Sequence, residues 1–372
     1  MKIAIVVPGG VDRSGSHKVI PALLWLIERL ARDGNDVHVF ALFQEPRPGR
    51  WPLLGATVHN AGARPHRLRA VAQMLAEHRK ARFDIVHAFW AGPSGQAAAL
   101  FATVTRVPII LSLPGGDLAA IPEIGYGGYL SWRGRVRARA VLAAASCITT
   151  PSMWQARHAA QAGVASIQLP YGIALDRWPP RAPQPRFLGA TLRLIHVADL
   201  NRVKDQTTLL GAASLLRERG VDFTLDIVGT DTLGGEVQRQ AAALGVEKCV
   251  RFHGFLPQAK MRPLVERADL LVMSSRHESV PIALLEAAVV GVPTVGTAVG
   301  LIADWAPDGA VAVPVADAHA LAEAIEALAR DEAARLALAR TAQSRAIAED
   351  ADAAARLALN LYSTLSRGAV TP

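Results

Sequence analysis

The sequence predicts an α/β protein built from two doubly wound parallel-sheet domains. Short apolar runs typical of buried strands alternate with segments of helical periodicity along most of the chain. A proline-dense stretch without periodicity, at 171–188, interrupts this alternation near the middle. The 372 residues are enough for two separate cores. We therefore expect an N-terminal domain at 1–180 and a C-terminal domain at 181–354.

The N-terminal half carries the first set of strands and helices. The run KIAIVVP at 2–8 is too short for the apolar core of a signal peptide and predicts a first strand. A helix is expected next, because apolar residues recur at helical spacing from Ile20 to Leu30. Further strands are expected at 36–42, 83–89, 107–113 and 145–152.

A glycine-containing loop with Gly9, Gly10 and Ser16 follows the first predicted strand. It lacks the GxGxxG spacing of a dinucleotide fingerprint. The second predicted strand also lacks the acidic end residue of such a site, since Glu45 lies three residues beyond it. These features disfavour a dehydrogenase and leave two interpretations open, a plain strand-to-helix turn or a ligand-binding loop.

The C-terminal half contains four strand–loop units whose loops are polar or rich in glycine. In a parallel sheet such loops meet at the carboxyl edge, where ligands bind. The first loop carries Arg202 and Lys204, two cations that suit an anionic ligand; later loops carry Gly229, Gly254 and Phe255. The segments that contain the strands are 195–216, 225–231, 250–256 and 268–275.

Two glutamates, Glu278 and Glu286, lie eight residues apart in the segment 274–300. Ser279 can cap a helix that tolerates Pro281 in its first turn, which places Glu286 roughly 12 Å further along the axis. The helix amides suit a diphosphate, and the carboxylates can accept hydrogen bonds from sugar and ribose hydroxyls. From spacing alone, it is equally simple to interpret Glu286 as an ordinary helix residue and Glu278 as a solvated loop charge.

The order of these motifs resembles that of the family 4 retaining glycosyltransferases (glycosyl transferases group 1), and the resemblance covers nearly all of the chain. It implies the GT-B fold, in which two doubly wound Rossmann-like domains face a central cleft. It also implies a last helix at about 355–372 that crosses back to the N-terminal domain. The segments that carry the resemblance are VADLNRVKD, DIVGTD, VRFHGF and LLVMSSRHESVPIALLEAAVVGVPTV.

The resemblance implies a hexosyltransferase of the EC 2.4 class that takes its sugar from a UDP- or GDP-linked donor, with no cofactor and no metal. Arg202, Lys204 and Glu278 would be catalytic, because the cations stabilise the departing diphosphate while Glu278 holds the sugar. Glu286 would bind the ribose. The implied donor-binding residues are Gly9, Gly10, Gly229, Gly254, Phe255, Ser279, Val280, Pro281, Ile282 and Glu286.

Departures from the family pattern fall on the acceptor side. Relatives commonly have a histidine where this chain has Pro114, three residues before Asp117, and a His-x-His pair is reduced to His87 and Phe89. Ser16, His87 and Asp117 remain the acceptor-side candidates, although a lone histidine at a strand end is more often structural. Two alternatives therefore stay open: a nucleotide-sugar epimerase of GT-B fold, and a catalytically silent glycosyltransferase-like partner subunit.

Basic residues and tryptophans are concentrated in the N-terminal half. Residues 1–190 hold 22 Lys and Arg against 10 Asp and Glu, whereas 191–372 hold 18 against 22. No nucleic-acid-binding motif accompanies this charge. A glycan or lipid-linked acceptor and an anionic membrane surface are therefore the expected partners, beside the simpler interpretation of a solvated basic face. The most concentrated stretch is Trp132 followed by Arg133, Arg135, Arg137 and Arg139.

Cysteine usage and hydropathy bear on location. Cys147 and Cys249 are isolated in sequence and fit no disulfide or metal-ligand spacing, which indicates a reducing compartment. The longest apolar run, near 287–302, is broken by glycine and proline and predicts no membrane span. We expect a cytoplasmic enzyme of cell-envelope polysaccharide biosynthesis, peripheral to the inner face of the membrane.

Overall fold

A computed structural model describes residues 1–187 and 189–368, which divide into two compact units. The first unit comprises Met1–Gly172 and the segment from Asp350 onward, and the second is Ile173–Glu349. The boundary expected at 180 falls inside the second unit, and the one at 354 falls inside the first. The reason is a close approach: a Cβ on Gly172 would lie 2.1 Å from the carbonyl carbon of Asp350. Leu188 of the predicted linker and 369–372 of the predicted last helix lie outside the described residues.

The first unit is built on a sheet in which every paired strand runs parallel to its neighbour except β3, which is antiparallel to β4. The strand order is β3-β4-β2-β1-β5-β6-β7-β8, so the order reverses between β1 and β5. The strands are β1 Lys2–Val7, β2 Asp36–Ala41, β3 Gly49–Leu53, β4 Ala56–Asn60, β5 Ile85–Phe89, β6 Ile109–Ser112, β7 Cys147–Thr150 and β8 Ile167–Gln168.

Helices cover both faces of this sheet because the buried strands are apolar on both faces. Ile3 and Ile5 of β1 pack in the same core as Tyr362, whereas Ala4 and Val6 pack in the opposite core. The last helix, α13, packs against α1 within this unit. The helices are α1 Pro21–Arg32, α2 His66–Lys80, α3 Pro93–Thr105, α4 Trp132–Ala144, α5 Met153–Gln161 and α13 Ala351–Ser366.

The second unit has a parallel sheet with the order β11-β10-β9-β12-β13-β14, which reverses between β9 and β12. This is the strand order of a doubly wound nucleotide-binding fold. The strands are β9 Leu192–Val197, β10 Phe223–Val228, β11 Val250–Gly254, β12 Leu270–Met273, β13 Thr294–Thr297 and β14 Val311–Val313. The helices are α6 Gln206–Glu218, α7 Glu236–Ala243, α8 Gln258–Arg267, α9 Ile282–Val289, α10 Gly300–Trp305, α11 Ala318–Arg330 and α12 Glu332–Ala348.

The predicted α/β class and the doubly wound sheets are confirmed, and each strand named in the sequence analysis is present. Among the described residues, no helix combines the length and the apolar character that a membrane crossing requires.

Candidate functional site

The strand order of the second unit reverses between β9 and β12, and the loops after these strands carry Lys204 and Glu278. The Lys204 ammonium donates to Oε1 of Glu278, and the Ser275 hydroxyl donates to the same oxygen at 2.9 Å. The Lys204 and Glu278 side chains are 24% and 11% exposed, so a ligand can reach both. Ligands of doubly wound sheets bind at this switch point. Two of the three residues predicted to be catalytic therefore lie in direct contact at this switch point.

The two loops that carry this pair are bonded to each other. The Ser274 hydroxyl donates to the main-chain oxygen of Lys204 at 2.8 Å, and the Arg276 amide donates to the Val203 oxygen at 2.7 Å. The Arg276 guanidinium also pairs with Asp205, the N-cap of α6, at 2.5 Å. These contacts fix the positions of the charged side chains before a ligand arrives.

Arg202, the other predicted cation of the β9–α6 loop, has a different partner. Its guanidinium pairs with Glu236 at 2.8 Å, and the two side chains are 58% and 42% exposed. An ion pair this exposed contributes little to stability and exchanges readily. The structure thus joins Lys204 to Glu278 and holds Arg202 in a separate pair.

The helix after Glu278 begins later than the sequence predicts. It starts at Ile282, with Pro281 at the N-cap in an extended conformation. The prediction that Ser279 caps the helix is wrong, since its hydroxyl is buried and has no hydrogen-bond partner among the described residues. The cause is steric, because a residue before proline is disfavoured from helical conformations and Val280 cannot open the helix.

Two glycines permit close approaches around the pair. A Cβ on Gly229, which follows β10, would lie 2.0 Å from the main-chain oxygen of Ala198 in the loop that leads to Lys204. A Cβ on Gly300, with φ +56°, would lie 2.4 Å from the main-chain oxygen of Ser279. That oxygen accepts from the Leu301 amide at 2.8 Å. Packing thus requires glycine at 229 and at 300, and the predicted role of Gly229 in donor binding stays a prediction.

Glu286 lies in α9 and is more deeply buried than Glu278, with 3% of its surface exposed. Its carboxyl accepts from the Gln258 side-chain amide at 2.5 Å, and its main-chain oxygen accepts from the Trp178 indole at 2.7 Å. Burial raises the pKa of Glu286 to about 8, against which the Gln258 hydrogen bond acts. A ribose that reaches this carboxyl would have to replace Gln258, the first residue of α8. Gln258 is not among the residues predicted from the sequence, and its one signal is its position three residues after the Gly254–Phe255 loop.

The loop at Gly254 and Phe255, which the sequence predicts to bind the donor, is accessible. Gly254 ends β11 with φ +65°, and its main-chain oxygen accepts from the amide of Gly229, the residue after β10, at 2.9 Å. Phe255 is 46% exposed. The loop therefore lies beside Gly229 on the same sheet edge as the loops described above.

His87, an acceptor-side candidate, has no exposed surface. One ring nitrogen bonds the Tyr362 hydroxyl at 2.6 Å and the other bonds the Ser112 hydroxyl at 2.7 Å. Burial lowers the pKa of His87 to about 3, so the ring is neutral. Phe89, in the position of the missing histidine, stacks on it with ring centroids 4.3 Å apart. One ring nitrogen thus joins β5 to α13 and the other joins β5 to β6, which supports the structural interpretation of this histidine.

The glycine loop of the first unit has its amides engaged. The side-chain oxygen of Gln44 accepts from the amides of Gly10 and Val11 at 2.7 and 2.9 Å. The Ser16 hydroxyl is exposed and lies 3.0 Å from a ring nitrogen of His17. The assignment of Gly9 and Gly10 to the donor and of Ser16 to the acceptor stays a prediction.

Asp117, the third acceptor-side candidate, follows β6 and is 8% exposed. Its Oδ1 accepts from the Ala91 amide at 2.8 Å, while its Oδ2 is buried without a hydrogen-bond partner among the described residues. Burial raises the pKa of Asp117 to about 7, although the main-chain amides of Ala91, Asp117 itself and Gly115 oppose that rise. An unpaired buried carboxylate oxygen costs free energy, which a ligand hydroxyl can recover by donating to it.

No group of three or more His, Cys, Asp or Glu residues that could hold a metal ion occurs within 1–187 and 189–368.

The chain matches two families that divide it in the same way as the structure. Residues 19–172 match the glycosyl transferase 4-like domain, and residues 184–345 match the glycosyl transferases group 1.

Curated relatives agree with these matches. The putative teichuronic acid biosynthesis glycosyltransferase TuaC of Bacillus subtilis is 27% identical over 71% of this chain and 66% of its own length. Glycogen synthase of Mycobacterium tuberculosis is 31% identical over 54% of this chain and 49% of its own length. The chain thus spans between half and two thirds of the length of these relatives.

Solved structures agree in fold along the whole chain. Sucrose-phosphate synthase of Thermosynechococcus elongatus superposes with a TM-score of 0.84 at 19% identity, covering 99% of both chains. HepE of Anabaena, crystallised with UDP-glucose, superposes with a TM-score of 0.76 at 19% identity, covering 98% of this chain and 100% of its own. With both halves matched in sequence and the fold matched throughout, the chain belongs to the family 4 glycosyltransferases, the glycosyl transferases group 1, and has their GT-B fold.

Proposed function

We propose that this protein is a retaining glycosyltransferase that transfers a sugar from a nucleoside-diphosphate sugar to a hydroxyl acceptor. The observation that carries the proposal is the Lys204–Glu278 contact at the switch point of the second unit. A cation and a carboxylate at this edge suit the two ends of a sugar diphosphate, because one neutralises phosphate and the other accepts from sugar hydroxyls. Family membership makes sugar transfer the expected reaction of such a site.

The chemical step in this proposal is departure of the nucleoside diphosphate. Negative charge grows on its phosphates as the glycosidic bond breaks, and Lys204 stabilises that charge from a fixed position. For this the ammonium must exchange its bond to Glu278 for one to phosphate, which releases the Glu278 carboxylate to the sugar. Arg202 can turn from Glu236 to the same phosphates, since both of those side chains are exposed. Metal is not required for this scheme.

The donor and the pathway are proposed from relatives. HepE of Anabaena was crystallised with UDP and with UDP-glucose, and TuaC is named for teichuronic acid biosynthesis. We therefore favour a UDP-linked donor and a cell-envelope polysaccharide product assembled on the cytoplasmic side of the membrane. GDP-linked sugars are the second donor class to test.

The test is an assay of the purified full chain with a panel of UDP- and GDP-linked sugars. Release of nucleoside diphosphate with transfer to an acceptor is expected, and the product should keep the anomeric configuration of the donor by NMR. EDTA should leave the rate unchanged, whereas loss of activity in EDTA with rescue by Mn²⁺ would show metal dependence. An inverted anomer contradicts retention. Sugar isomerisation without an acceptor identifies an epimerase, and donor binding without turnover identifies a silent partner subunit.

Helix α4 supports membrane attachment of the first unit. At about 100° per residue, Trp132, Arg135, Val136 and Arg139 share one side of this helix. Trp132 is 63% exposed and Val136 is 56% exposed, and both arginines are exposed. Aromatic and basic side chains on one face suit an anionic bilayer surface, where each basic residue contributes about 1 kcal/mol. The two arginines predict weak, salt-sensitive attachment.

Cosedimentation with vesicles tests this attachment. Binding should require anionic lipid, decrease with added salt, and weaken when Arg135 and Arg139 are changed to Gln. Arg79 and Arg82 changed together to Gln provide a control of equal charge outside α4. Equal binding to neutral and anionic vesicles would contradict an electrostatic contact, and equal weakening by both double variants would contradict a role for this face.

A further inference from the structure

The first unit contains a cavity of about 680 Å³ at the carboxyl edge of its sheet. The segment after β5 and the first turn of α3 form one wall, the loop before α2 forms another, and α4 forms a third. Asp117, which follows the neighbouring strand β6, also lines it. The volume is in the range of small-molecule sites, and the cavity lies wholly within the first unit.

Asp117, a lining residue of this cavity, has a carboxyl oxygen that lacks a hydrogen-bond donor. Its Oδ1 is held by the Ala91 amide at 2.8 Å, which fixes the orientation of the carboxyl. Its Oδ2 is buried and has no hydrogen-bond partner anywhere in the described part of the chain. Because buried polar atoms are nearly always paired in folded proteins, an unpaired oxygen on a residue that lines a cavity indicates a missing partner, and a ligand hydroxyl can be that partner.

Three arginines give the same cavity a positive rim. Arg64 and Arg67 lie at the start of α2, and Arg137 lies on α4. All three are exposed, and none forms an ion pair with a carboxylate among the residues that the structure describes; Arg67 donates to the side-chain oxygen of Gln96. Asp117 is the one carboxylate among the lining residues. Three guanidinium groups against one carboxylate favour an anion with oxygen acceptors.

Arg137 and Arg139 differ in direction although they are two residues apart. A separation of about 200° around α4 places them on opposite sides of the helix. Arg137 lines the cavity with Ala138, whereas Arg139 shares the outward face of Trp132. The arginines of α4 therefore lie on two different surfaces. Substitution of Arg137 tests the cavity, and substitution of Arg139 tests the outward face.

We propose that this cavity binds the acceptor, and that the acceptor carries a phosphate or carboxylate which the three arginines hold while one of its hydroxyls donates to Oδ2 of Asp117. The inference rests on the glycosyl transfer proposed above and specifies its acceptor as a phosphorylated or acidic sugar or polyol. A neutral glycan would satisfy Asp117 but leave the guanidinium groups without a partner. A simple anion would satisfy the guanidinium groups but leave Oδ2 unpaired.

Calorimetric titration of the full chain tests this directly, with glucose 6-phosphate, glucuronate, glucose and inorganic phosphate as probes. The affinity for the two charged sugars should exceed the affinity for glucose by about tenfold or more, because glucose has no anionic group and cannot form the charge-assisted hydrogen bonds with the arginines. Arg137→Gln should weaken their binding about tenfold, while Arg139→Gln should leave it unchanged. Asp117→Asn should weaken the sugar phosphate and leave inorganic phosphate as tight as before or tighter. Thermal melting of each variant controls for folding.

A second arm identifies the source of the anion. Phosphatidylcholine vesicles that contain the anionic lipid phosphatidylinositol are compared with the soluble probes, at a salt concentration at which the electrostatic contact of Arg135 and Arg139 is screened. If Arg137→Gln weakens the binding of the soluble probes, the result supports a free acceptor. If Arg137→Gln and Asp117→Asn weaken binding to the vesicles and Arg139→Gln does not, the result supports a lipid-linked acceptor. Equal effects of Arg137→Gln and Arg139→Gln, or no binding of any anionic probe, would overturn the proposal. Titration of the same variants with UDP distinguishes failure of this proposal from failure of the proposed function. If UDP still binds while the anionic probes do not, the acceptor site is wrong and the proposed glycosyl transfer is unaffected.

Discussion

The carboxyl edges of the two sheets differ in whether their charged side chains are paired. In the second unit Lys204 pairs with Glu278 and Arg202 pairs with Glu236, so the charges of the site largely cancel. In the first unit the arginines around Asp117 have no carboxylate partner among the described residues, and an oxygen of Asp117 is unpaired. A ligand of the second unit must exchange existing bonds, whereas a ligand of the first would supply missing ones.

This difference separates two costs of binding. Where charges are already paired, the ligand gains only the difference between new and old bonds, but the groups are held in place beforehand. Where a buried polar atom is unpaired, as at Oδ2 of Asp117, the full value of the new bond contributes to affinity, because a buried polar atom without a partner is itself unfavourable. The comparison predicts that substitutions at the second unit affect turnover most, and that substitutions at the first affect binding.

Lys204→Ala should have the largest effect. Removal of one preorganised charge that stabilises the leaving group typically lowers turnover by about 10²-fold or more. Steady-state kinetics with the best donor measures this, and Lys248→Ala, an exposed lysine before β11, is the matched control. A loss that is equal for Lys204→Ala and Lys248→Ala would contradict the assignment of Lys204.

Glu278→Gln should separate transfer from binding. The variant releases Lys204 from its partner, so free nucleoside diphosphate should bind as tightly as before or more tightly. Transfer should still decrease about tenfold or more, because a charged hydrogen bond to the sugar is lost. Calorimetry with UDP and kinetics with the sugar nucleotide are compared on the same preparation. Weaker UDP binding together with unchanged turnover would reverse the roles proposed for the two residues.

Glu286→Gln should weaken nucleotide binding, and it should also change the number of protons released on binding. With a pKa of about 8, Glu286 is mostly protonated at pH 7 in the free protein. Ribose hydroxyls that donate to it favour the ionised form, so nucleotide binding should release a proton at pH 7 and become tighter as the pH increases towards 8. Calorimetry in buffers of different ionisation enthalpy detects this release, and the variant should lose it along with about 1.5 to 3 kcal/mol of binding free energy.

The same carboxyl affects the stability of the free protein. Its folded pKa of about 8 exceeds the ordinary value of 4.5 because of burial. Its contribution to folding is therefore fully present below pH 4.5 and is lost as the pH increases towards 8. Denaturant unfolding should show a stability decrease over this range that Glu286→Gln reduces. Nucleotide binding without proton release, in a protein that shows this pH dependence, would place Glu286 in the core and remove it from the ribose site.

Much of the fold could be predicted because its strands are buried on both faces and give continuous apolar runs. The hairpin of β3 and β4 was missed for a specific reason. Its turn residues Leu54 and Gly55 have φ of +52° and +81°, the conformation of a tight hairpin turn, but leucine in place of asparagine gives no turn signal. Pro52 in β3 further argues against a strand, although an edge strand tolerates it.

The candidate site was predicted in part. The sequence places Lys204 and Glu278 after neighbouring strands, but their contact depends on side-chain directions that spacing cannot supply. The late start of α9 could have been predicted from Pro281, which constrains the residue before it. Gln258 and the unpaired oxygen of Asp117 could not, since both depend on which distant segments meet.

The path of the chain has a consequence for how the protein is made. The second unit is continuous from Ile173 to Glu349, whereas the first is completed only by the segment from Asp350 onward. The hydrogen bond between His87 and Tyr362 joins residues 275 positions apart. During synthesis from the N-terminus, the second unit can close its core while the first still exposes the face of its sheet that α13 covers. The half of the protein that is translated first is therefore the half that finishes folding last, and its nascent form is the one that needs protection from aggregation.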